Sequence, residues 1–222
     1  MLDLFGTLVD APTPADRSRA ASRLAHAIGC DPAAVELYLR ATWTVRHDGT
    51  MATGGALAEH LVGLIGGPVS AVEPVAHELL ALGCSRVVPD DSVIETLLAL
   101  HGCGLRLGVL RDASPDIVAA WPTSPLAGCV DAAVFSCAAG WTKPDHRLYA
   151  RISDMLGVPG SETLYVGDGG GDELRGARRC GMSVVTIRRR GPHGAMAFGD
   201  RPWRGPAIDT VELVHAYLAE LS

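Results

Sequence analysis

The sequence predicts an α/β fold in which a parallel β-sheet core carries an inserted α-helical domain. Between residues 14 and 84, apolar residues recur at intervals of three and four, as at Leu57, Leu61 and Leu64, which is typical of amphipathic helices. From Asp90 onwards, helical segments alternate with short, nearly continuous apolar runs. Apolar strands that alternate with helices indicate a parallel sheet covered on both faces.

The first element is a short apolar strand that ends at Asp3 and is followed by the turn residues Gly6 and Thr7. Only two residues precede Asp3, whereas a buried strand usually has about five or more. Either this strand is stunted or the natural chain starts upstream of Met1.

Residues 11–85 are predicted to form the inserted domain, a small bundle of four helices joined by turns at residues such as Gly29 and Gly66. Residues 1–10 and 86–222 are predicted to form the core. Residues 191–206, rich in glycine, proline and charge, are expected to be a loop. Core helices are expected at 92–101, after Ser114-Pro115, and at 147–156, 173–180 and 211–221, and strands at 105–110, 132–136, 163–166 and 183–187.

The composition excludes several classes of protein. With 48% hydrophobic and 20% charged residues, the 222-residue chain is predicted to be globular, with a core of its own. Its net charge of −6 argues against a nucleic-acid or anionic-membrane partner. The six cysteines form no CxxC pair, which indicates free thiols and a cytoplasmic location. No apolar run approaches the ~20 residues that span a bilayer, and no signal pattern is present.

Four polar residues fall at or just past the carboxyl ends of predicted strands, namely Asp3, Arg111, Lys143 and Asp168. Ligands of parallel α/β sheets bind at this edge. We therefore expect these side chains to meet at one site, with the helical insertion after Asp10 lying over it as a cap.

The motifs around these residues follow one another in a fixed order. They are Leu-Asp-Leu-Phe-Gly-Thr around Asp3, Arg111-Asp112 at a strand end, Thr-Lys-Pro-Asp around Lys143, and the acidic glycine loop of residues 166–173. The series resembles the haloacid dehalogenase (HAD) superfamily, most of whose members are magnesium-dependent phosphatases. The resemblance implies a Rossmann-like core with an inserted α-helical cap, and a small-molecule substrate selected by the cap. We expect a monomer or a homodimer.

The resemblance also implies a role for each residue. Asp3 would be the catalytic nucleophile, attacking phosphorus to form an aspartyl-phosphate. Lys143, the second catalytic residue, would hold Asp3 ionised and lower its pKa. Thr7, Arg111 and Asp112 are expected to bind the substrate, and Thr7 could instead donate to the Asp3 carboxylate.

A Mg²⁺ site is implied as well, with Asp3, Phe5 and Asp168 at the ligand positions together with Asp172 or Glu173. The spacing from Asp168 favours Asp172, whereas alignment on the following Leu-Arg-Gly-Ala favours Glu173. Converging carboxylates would repel each other by about 4 kcal/mol per pair at about 4 Å and an effective dielectric of about 20. A hard divalent cation bound by oxygen ligands would offset that repulsion.

Two residues depart from the family pattern. The second acidic residue of the usual Asp-x-Asp pair, which protonates the leaving group, is Phe5. Unless another acid or water serves, its loss would slow the reaction of poor leaving groups on the order of 10²-fold or more. Arg111 stands where the family has Ser or Thr. Arginine can donate bidentately to a phosphate or a carboxylate, but it could equally pair with Asp3 or Asp112 and block the site.

These departures leave two alternatives open. Phe5 and the spacing from Lys143 to Tyr149 also resemble the metal-free L-2-haloacid dehalogenases, in which a cap arginine, here Arg40 or preferably Arg46, grips the substrate. Asp168 argues against that reading, because an added carboxylate would repel both the nucleophile and a carboxylate substrate. The other alternative is a binding or regulatory protein that has lost turnover.

Overall fold

The computed structural model describes residues 1–188 and 203–221. Its helices are α1 (Pro14–Ile28), α2 (Pro32–Ala41), α3 (Trp43–His47), α4 (Gly54–Ile65), α5 (Val72–Arg86), α6 (Asp91–Gly102), α7 (Pro115–Ala120), α8 (Ser136–Ala139), α9 (His146–Leu156), α10 (Glu173–Arg179) and α11 (Val214–Leu221). Its strands are β1 (Gly108–Arg111), β2 (Ala132–Phe135), β3 (Leu164–Gly167), β4 (Ser183–Ile187) and β5 (Ala207–Ile208). The prediction of an α/β fold with parallel strands is confirmed.

The N-terminal segment, residues 1–3, joins two parallel groups of strands into one layer. β1 pairs with β2, and β3 pairs with β4, which pairs in turn with β5. Leu2 forms parallel bridges to Val109 on one side and to Val166 on the other. The Leu2 amide donates to the Gly108 carbonyl (2.8 Å), and the Asp3 amide donates to the Val166 carbonyl (2.9 Å). The segment is therefore the central strand, and Asp3 lies at its carboxyl end.

Most core elements lie at the predicted positions. However, α11 begins at Val214 rather than at residue 211, the short elements α8 and β5 were not predicted, and a further difference lies at the start of β1. This strand begins at Gly108, three residues later than predicted. The reason is the preceding pair, in which the Leu107 amide donates to the Asp131 carboxylate (2.8 Å) and the Asp131 amide donates to the Leu107 carbonyl (2.8 Å). The predicted loop at 191–206 lies mainly outside the described residues.

The helical insertion has a hydrophobic cluster of its own, drawn wholly from residues between Ala20 and Leu82. It contains five helices, one more than predicted, because the one-turn helix α3 follows α2. Between them, the Thr42 hydroxyl donates to the Tyr38 carbonyl (2.7 Å). The domain limits at residues 10 and 85 stay predictions.

The insertion is packed against the core through α5 and α7. A Cβ atom at Gly83 of α5 would lie 2.6 Å from the Asp116 carbonyl oxygen of α7, so only glycine permits this approach. Within the described ranges, no helix combines the length and apolarity that crossing a bilayer requires.

Candidate functional site

The centre of the site is Asp3, whose side chain is fully buried at the end of the central strand. Its Oδ1 accepts a hydrogen bond from Lys143 Nζ (2.6 Å), and its Oδ2 accepts one from an Arg111 guanidinium nitrogen (3.0 Å). Burial alone would raise the pKa of the Asp3 carboxyl, but Lys143 and Arg111 outweigh burial and hold this pKa below its ordinary value. Asp3 is therefore an ionised carboxylate in a buried setting.

Lys143 is the buried cation that connects two acids. Its ammonium group contacts Asp3 and Glu173 and lies 3.4 Å from both the Leu110 carbonyl and the Tyr165 hydroxyl. Burial would lower the pKa of Lys143, but the charges of Asp3 and Glu173 raise it above its usual value. Lys143 consequently stays charged and holds the two acids together.

Asp112 positions the loop that carries Lys143. Its Oδ1 accepts from the Lys143 backbone amide (2.9 Å), and the carboxylate is almost fully buried. Burial raises the pKa of Asp112, more than Lys143 and Arg111 lower it. Asp112 was predicted to bind substrate, but in the structure its carboxylate contacts the protein backbone.

Three carboxylates meet at the site. One oxygen atom from each of Asp3, Asp168 and Glu173 lies within 4.8 Å of the others. Glu173 is held at both oxygens, since Oε1 accepts from the Gly169 amide (2.9 Å) and Oε2 from the Tyr165 hydroxyl (2.8 Å). Burial, together with repulsion by Asp3, raises the pKa of Glu173 to about 7.

Asp172 lies outside this group of three. Its backbone φ is 55°, and its carboxylate pairs with Arg175 (2.8 Å) and Arg179 (3.9 Å). Of the two alternatives that the sequence left open for the last acid, the structure brings only Glu173 to Asp3 and Asp168. Asp172 as a metal ligand is a prediction that this geometry does not support.

The turn after Asp3 leaves room for Asp168. Gly6 has a φ of 81°, and a Cβ atom there would lie 2.4 Å from Asp168 Oδ2. Phe5 brings a buried phenyl ring, which offers neither a proton nor a metal-binding atom, so only its backbone carbonyl could be a ligand. The Arg111 guanidinium carbon lies 4.7 Å from the centre of this ring.

Two buried side-chain donors on residues predicted to bind substrate lack hydrogen-bond partners among the described residues. They are Thr7 Oγ1 and Arg111 Nε. A buried donor without a partner costs free energy, about 1–3 kcal/mol for a neutral group and more for a charged one. Both groups were predicted to bind substrate, and an anionic substrate would satisfy them.

The cap arginines make contacts within the cap. Arg46 is buried, and its guanidinium donates to the Thr42 hydroxyl (3.2 Å) and to the Leu39 carbonyl (2.7 Å). Arg40 pairs with Glu36 (3.2 Å), and its side chain is 65% exposed. These contacts stabilise the cap helices and bring neither guanidinium to Asp3.

Two tyrosines hold Glu173; sequence reasoning missed Tyr165 altogether and noted Tyr149 only for its spacing from Lys143. Tyr165 donates to the Glu173 carboxylate, and the Tyr149 hydroxyl donates to the Glu173 carbonyl (2.9 Å). Both rings are fully buried. The available signal was a hydroxyl-bearing residue within the apolar run of β3, because a buried hydroxyl requires a partner.

Comparisons with known proteins agree on one protein family. The model of the haloacid dehalogenase-like hydrolase family matches residues 1–181. Glyceraldehyde 3-phosphate phosphatase of Methanopyrus kandleri is 35% identical over 104 residues, which is 46% of this chain and 44% of that protein. The chain thus matches less than half the length of this curated relative.

Two solved structures show the shared fold. The 2-haloacid dehalogenase from Pseudomonas syringae pv. Tomato DC3000 has a TM-score of 0.70 at 20% identity, covering 100% of this chain and 97% of that one. A HAD family enzyme from Bacteroides thetaiotaomicron, in complex with magnesium and inorganic phosphate, has a TM-score of 0.64 at 16% identity, covering 86% and 94%. At these identities the likeness concerns the fold alone.

Proposed function

Because the chain belongs to the haloacid dehalogenase-like hydrolases, we propose that it hydrolyses a small phosphate monoester in a Mg²⁺-dependent reaction through an aspartyl-phosphate on Asp3. The observation that carries this proposal is the convergence of Asp168 and Glu173 on the buried, ionised Asp3. A carboxylate nucleophile alone would not require two further acids beside it.

The donor set fits Mg²⁺. Three carboxylate oxygens within 4.8 Å are hard ligands of the kind that Mg²⁺ prefers. The Gly6 turn permits Asp168 to approach without a side chain between them. Asp3 and Asp168 would hold the ion together with the Phe5 carbonyl, and Glu173 would support it from its place beside Lys143. When bound, Mg²⁺ supplies positive charge that offsets the charge of the phosphoryl group.

Asp3 acts as the nucleophile in this proposal. A carboxylate oxygen attacks phosphorus, the bond from phosphorus to the ester oxygen breaks, and the oxygen leaves as an alkoxide that takes its proton from water. Water then attacks the phosphoryl group on Asp3, which releases inorganic phosphate and regenerates the carboxylate. Arg111 Nε and Thr7 Oγ1, the two donors without partners, donate to the phosphate oxygens.

The leaving group limits the rate. Phe5 cannot protonate the departing oxygen, so esters with acidic alcohols should be hydrolysed far faster than alkyl phosphates. The partial match to a phosphatase and the fold shared with a protein that binds magnesium and phosphate support phosphoryl chemistry.

A second candidate is hydrolysis of a 2-haloacid without a metal. The packing of Phe5 under Arg111 favours it, because this pair puts an apolar ring where a phosphatase would have its general acid and places a guanidinium beside Asp3. Asp3 would attack carbon and displace halide, and water would hydrolyse the resulting ester. The carboxylate of Asp168 opposes this candidate by its charge.

The test is initial-rate hydrolysis of para-nitrophenyl phosphate in Mg²⁺ and in excess EDTA, with halide release from 2-chloropropionate measured in parallel. We expect Mg²⁺-dependent phosphate release that Asp3→Asn and Asp168→Asn abolish. Asp31→Asn is the matched control, since Asp31 caps α2 in the helical insertion and asparagine also caps helices. Phosphate release undiminished by EDTA, or halide release without phosphate release, would refute the proposal.

A further inference from the structure

A cavity of about 580 Å³ lies beside α10 and is lined by arginine side chains. Among the residues that the structure describes, its lining consists of Arg175, Arg178, Arg179, Trp203, Arg204 and Gly205. This volume falls in the range of small-molecule pockets, roughly 300–1,000 Å³. None of the three carboxylates around Asp3 lines it, so the cavity is separate from the candidate catalytic site.

The positive charge of the lining residues favours an anionic ligand. Four of the described lining residues carry a guanidinium group, in a chain whose net charge is −6. Three of them follow the spacing of one helical face, at Arg175, Arg178 and Arg179. No ion pair joins Arg178 or Arg204 to a carboxylate within the described ranges. Guanidinium groups bind phosphate oxygens bidentately, so a cluster of them suits several phosphates in a row.

Trp203 supplies an aromatic surface in the same cavity. Its indole nitrogen donates to the Pro206 carbonyl (3.1 Å), and its ring packs beside the hydrophobic cluster that includes Tyr149. A Cβ atom at Gly205 would lie 2.5 Å from this ring, so glycine allows the ring to take its position. A ring held in this way can stack with a nucleobase, an interaction of about 1–3 kcal/mol per base.

We propose that this cavity is a binding site for a nucleoside di- or triphosphate, with the phosphates on the arginines and the base against Trp203. The site shares α10 with the candidate catalytic site, because α10 begins at Glu173. Asp172 already pairs with two of the cavity arginines, Arg175 and Arg179. The phosphates therefore compete with Asp172 for these guanidinium groups.

The test is isothermal titration of the full-length protein with ATP, ADP and pyrophosphate in EDTA, which keeps any divalent cation out of the site at Asp3. We expect the double variant Arg178→Glu/Arg204→Glu to weaken ATP binding at least tenfold. Arg151→Glu is the matched control, an exposed arginine of α9 outside the cavity. Equal losses in both variants, or no loss in the double variant, would overturn the site.

Two further variants test the parts of the site separately. Trp203→Leu should weaken ATP binding several-fold but leave pyrophosphate binding unchanged, and equal binding of pyrophosphate and ATP to the wild type would overturn a nucleoside ligand. Asp172→Asn should strengthen ATP binding about threefold or more, because it removes the competing charge. Unchanged affinity in that variant would overturn the competition. Circular dichroism melting verifies that each variant is folded.

Discussion

Arg111 contacts Phe5 and Asp3 at once, with its guanidinium carbon 4.7 Å from the phenyl centre and one of its nitrogens 3.0 Å from Asp3 Oδ2. The two departures from the family pattern are thus one structural unit. A cation over an aromatic face is attracted to the ring, so Phe5 helps to hold Arg111 on the nucleophile. Replacing one of the two residues changes the environment of the other.

Because Phe5 stands in place of the general acid, an acid restored at this position should restore activity on alkyl phosphates. Phe5→Asp should raise kcat/KM for alkyl phosphates relative to para-nitrophenyl phosphate by at least about tenfold, because an acid at this position can protonate the alkoxide. Phe5→Asn is the matched control, of similar size and polarity but without the acid. An equal ratio in the two variants would show that Phe5 does not limit the rate.

Lys143 is expected to be essential for stability as well as for activity. Lys143→Met leaves Asp3 and Glu173 buried beside one another, and breaking a buried ion pair in this way costs about 3–5 kcal/mol. Urea denaturation in EDTA would measure the loss in the free energy of unfolding. Adding Glu173→Gln to the variant should restore part of it, and a double variant that is less stable than the single one would contradict this reasoning.

Gly6 and Gly29 offer a matched pair for the turn after Asp3. Both have a φ of 81°, but a Cβ atom would meet Asp168 at Gly6 and nothing within 4 Å at Gly29. Gly29→Ala should therefore show only the strain of the left-handed backbone, about 1–2 kcal/mol. Gly6→Ala should lose more stability than this and should lose Mg²⁺-dependent activity. Thermal melting and rate measurements would detect both effects, and equal behaviour of the variants would count against the close approach of Asp168.

The buried His47 side chain should make the folded protein less stable in acid. Its buried imidazole stacks on Trp43. Burial, followed by the nearby charge of Arg46, lowers the pKa of His47 from 6.5 to about 3. Below pH 6.5, His47 therefore binds a proton in the unfolded chain, whereas in the folded protein it stays neutral down to about pH 3. The free energy of unfolding consequently falls as the pH falls from 6.5 to about 3. At about pH 5 the loss is roughly 2 kcal/mol.

The variant His47→Gln would test this contribution. Its free energy of unfolding should depend less on pH between about 3 and 6.5 than that of the wild type. Urea denaturation at several pH values measures the difference. Parallel curves for the two proteins would show that His47 does not carry the effect. His26, exposed at the end of α1, provides the control His26→Gln.

Local sequence patterns were sufficient for most of the fold. The strand at residues 183–187 has its predicted limits because Val184, Val185 and Ile187 favour a buried strand by themselves. The short segment of residues 1–3 becomes a central strand only through its hydrogen bonds to β1 and β3, which are distant in the chain. A prediction from local pattern could identify Asp3 at a strand end but not which strands flank it.

The site shows the same limit. Spacing left Asp172 and Glu173 as alternatives, and they are separated by the left-handed backbone at Asp172, which turns its carboxylate towards Arg175. A φ of 55° at a non-glycine residue has no reliable signature in one sequence. For Arg46 too, the sequence does not fix the direction of the side chain. Its contacts to Thr42 and Leu39 depend on how α2 and α3 meet.

The central position of residues 1–3 has a consequence for how the protein loses activity. Those residues are the seam between the β1–β2 pair and the three strands β3, β4 and β5. Any opening that separates the two halves of the sheet must break the hydrogen bonds of this backbone to at least one of them. Detachment of the β1–β2 pair should expose the Leu2 amide to deuterium exchange, whereas detachment of the three strands β3, β4 and β5 should expose the Asp3 amide. Either opening should inactivate the protein, because Arg111 lies on one half and Asp168 and Glu173 lie on the other.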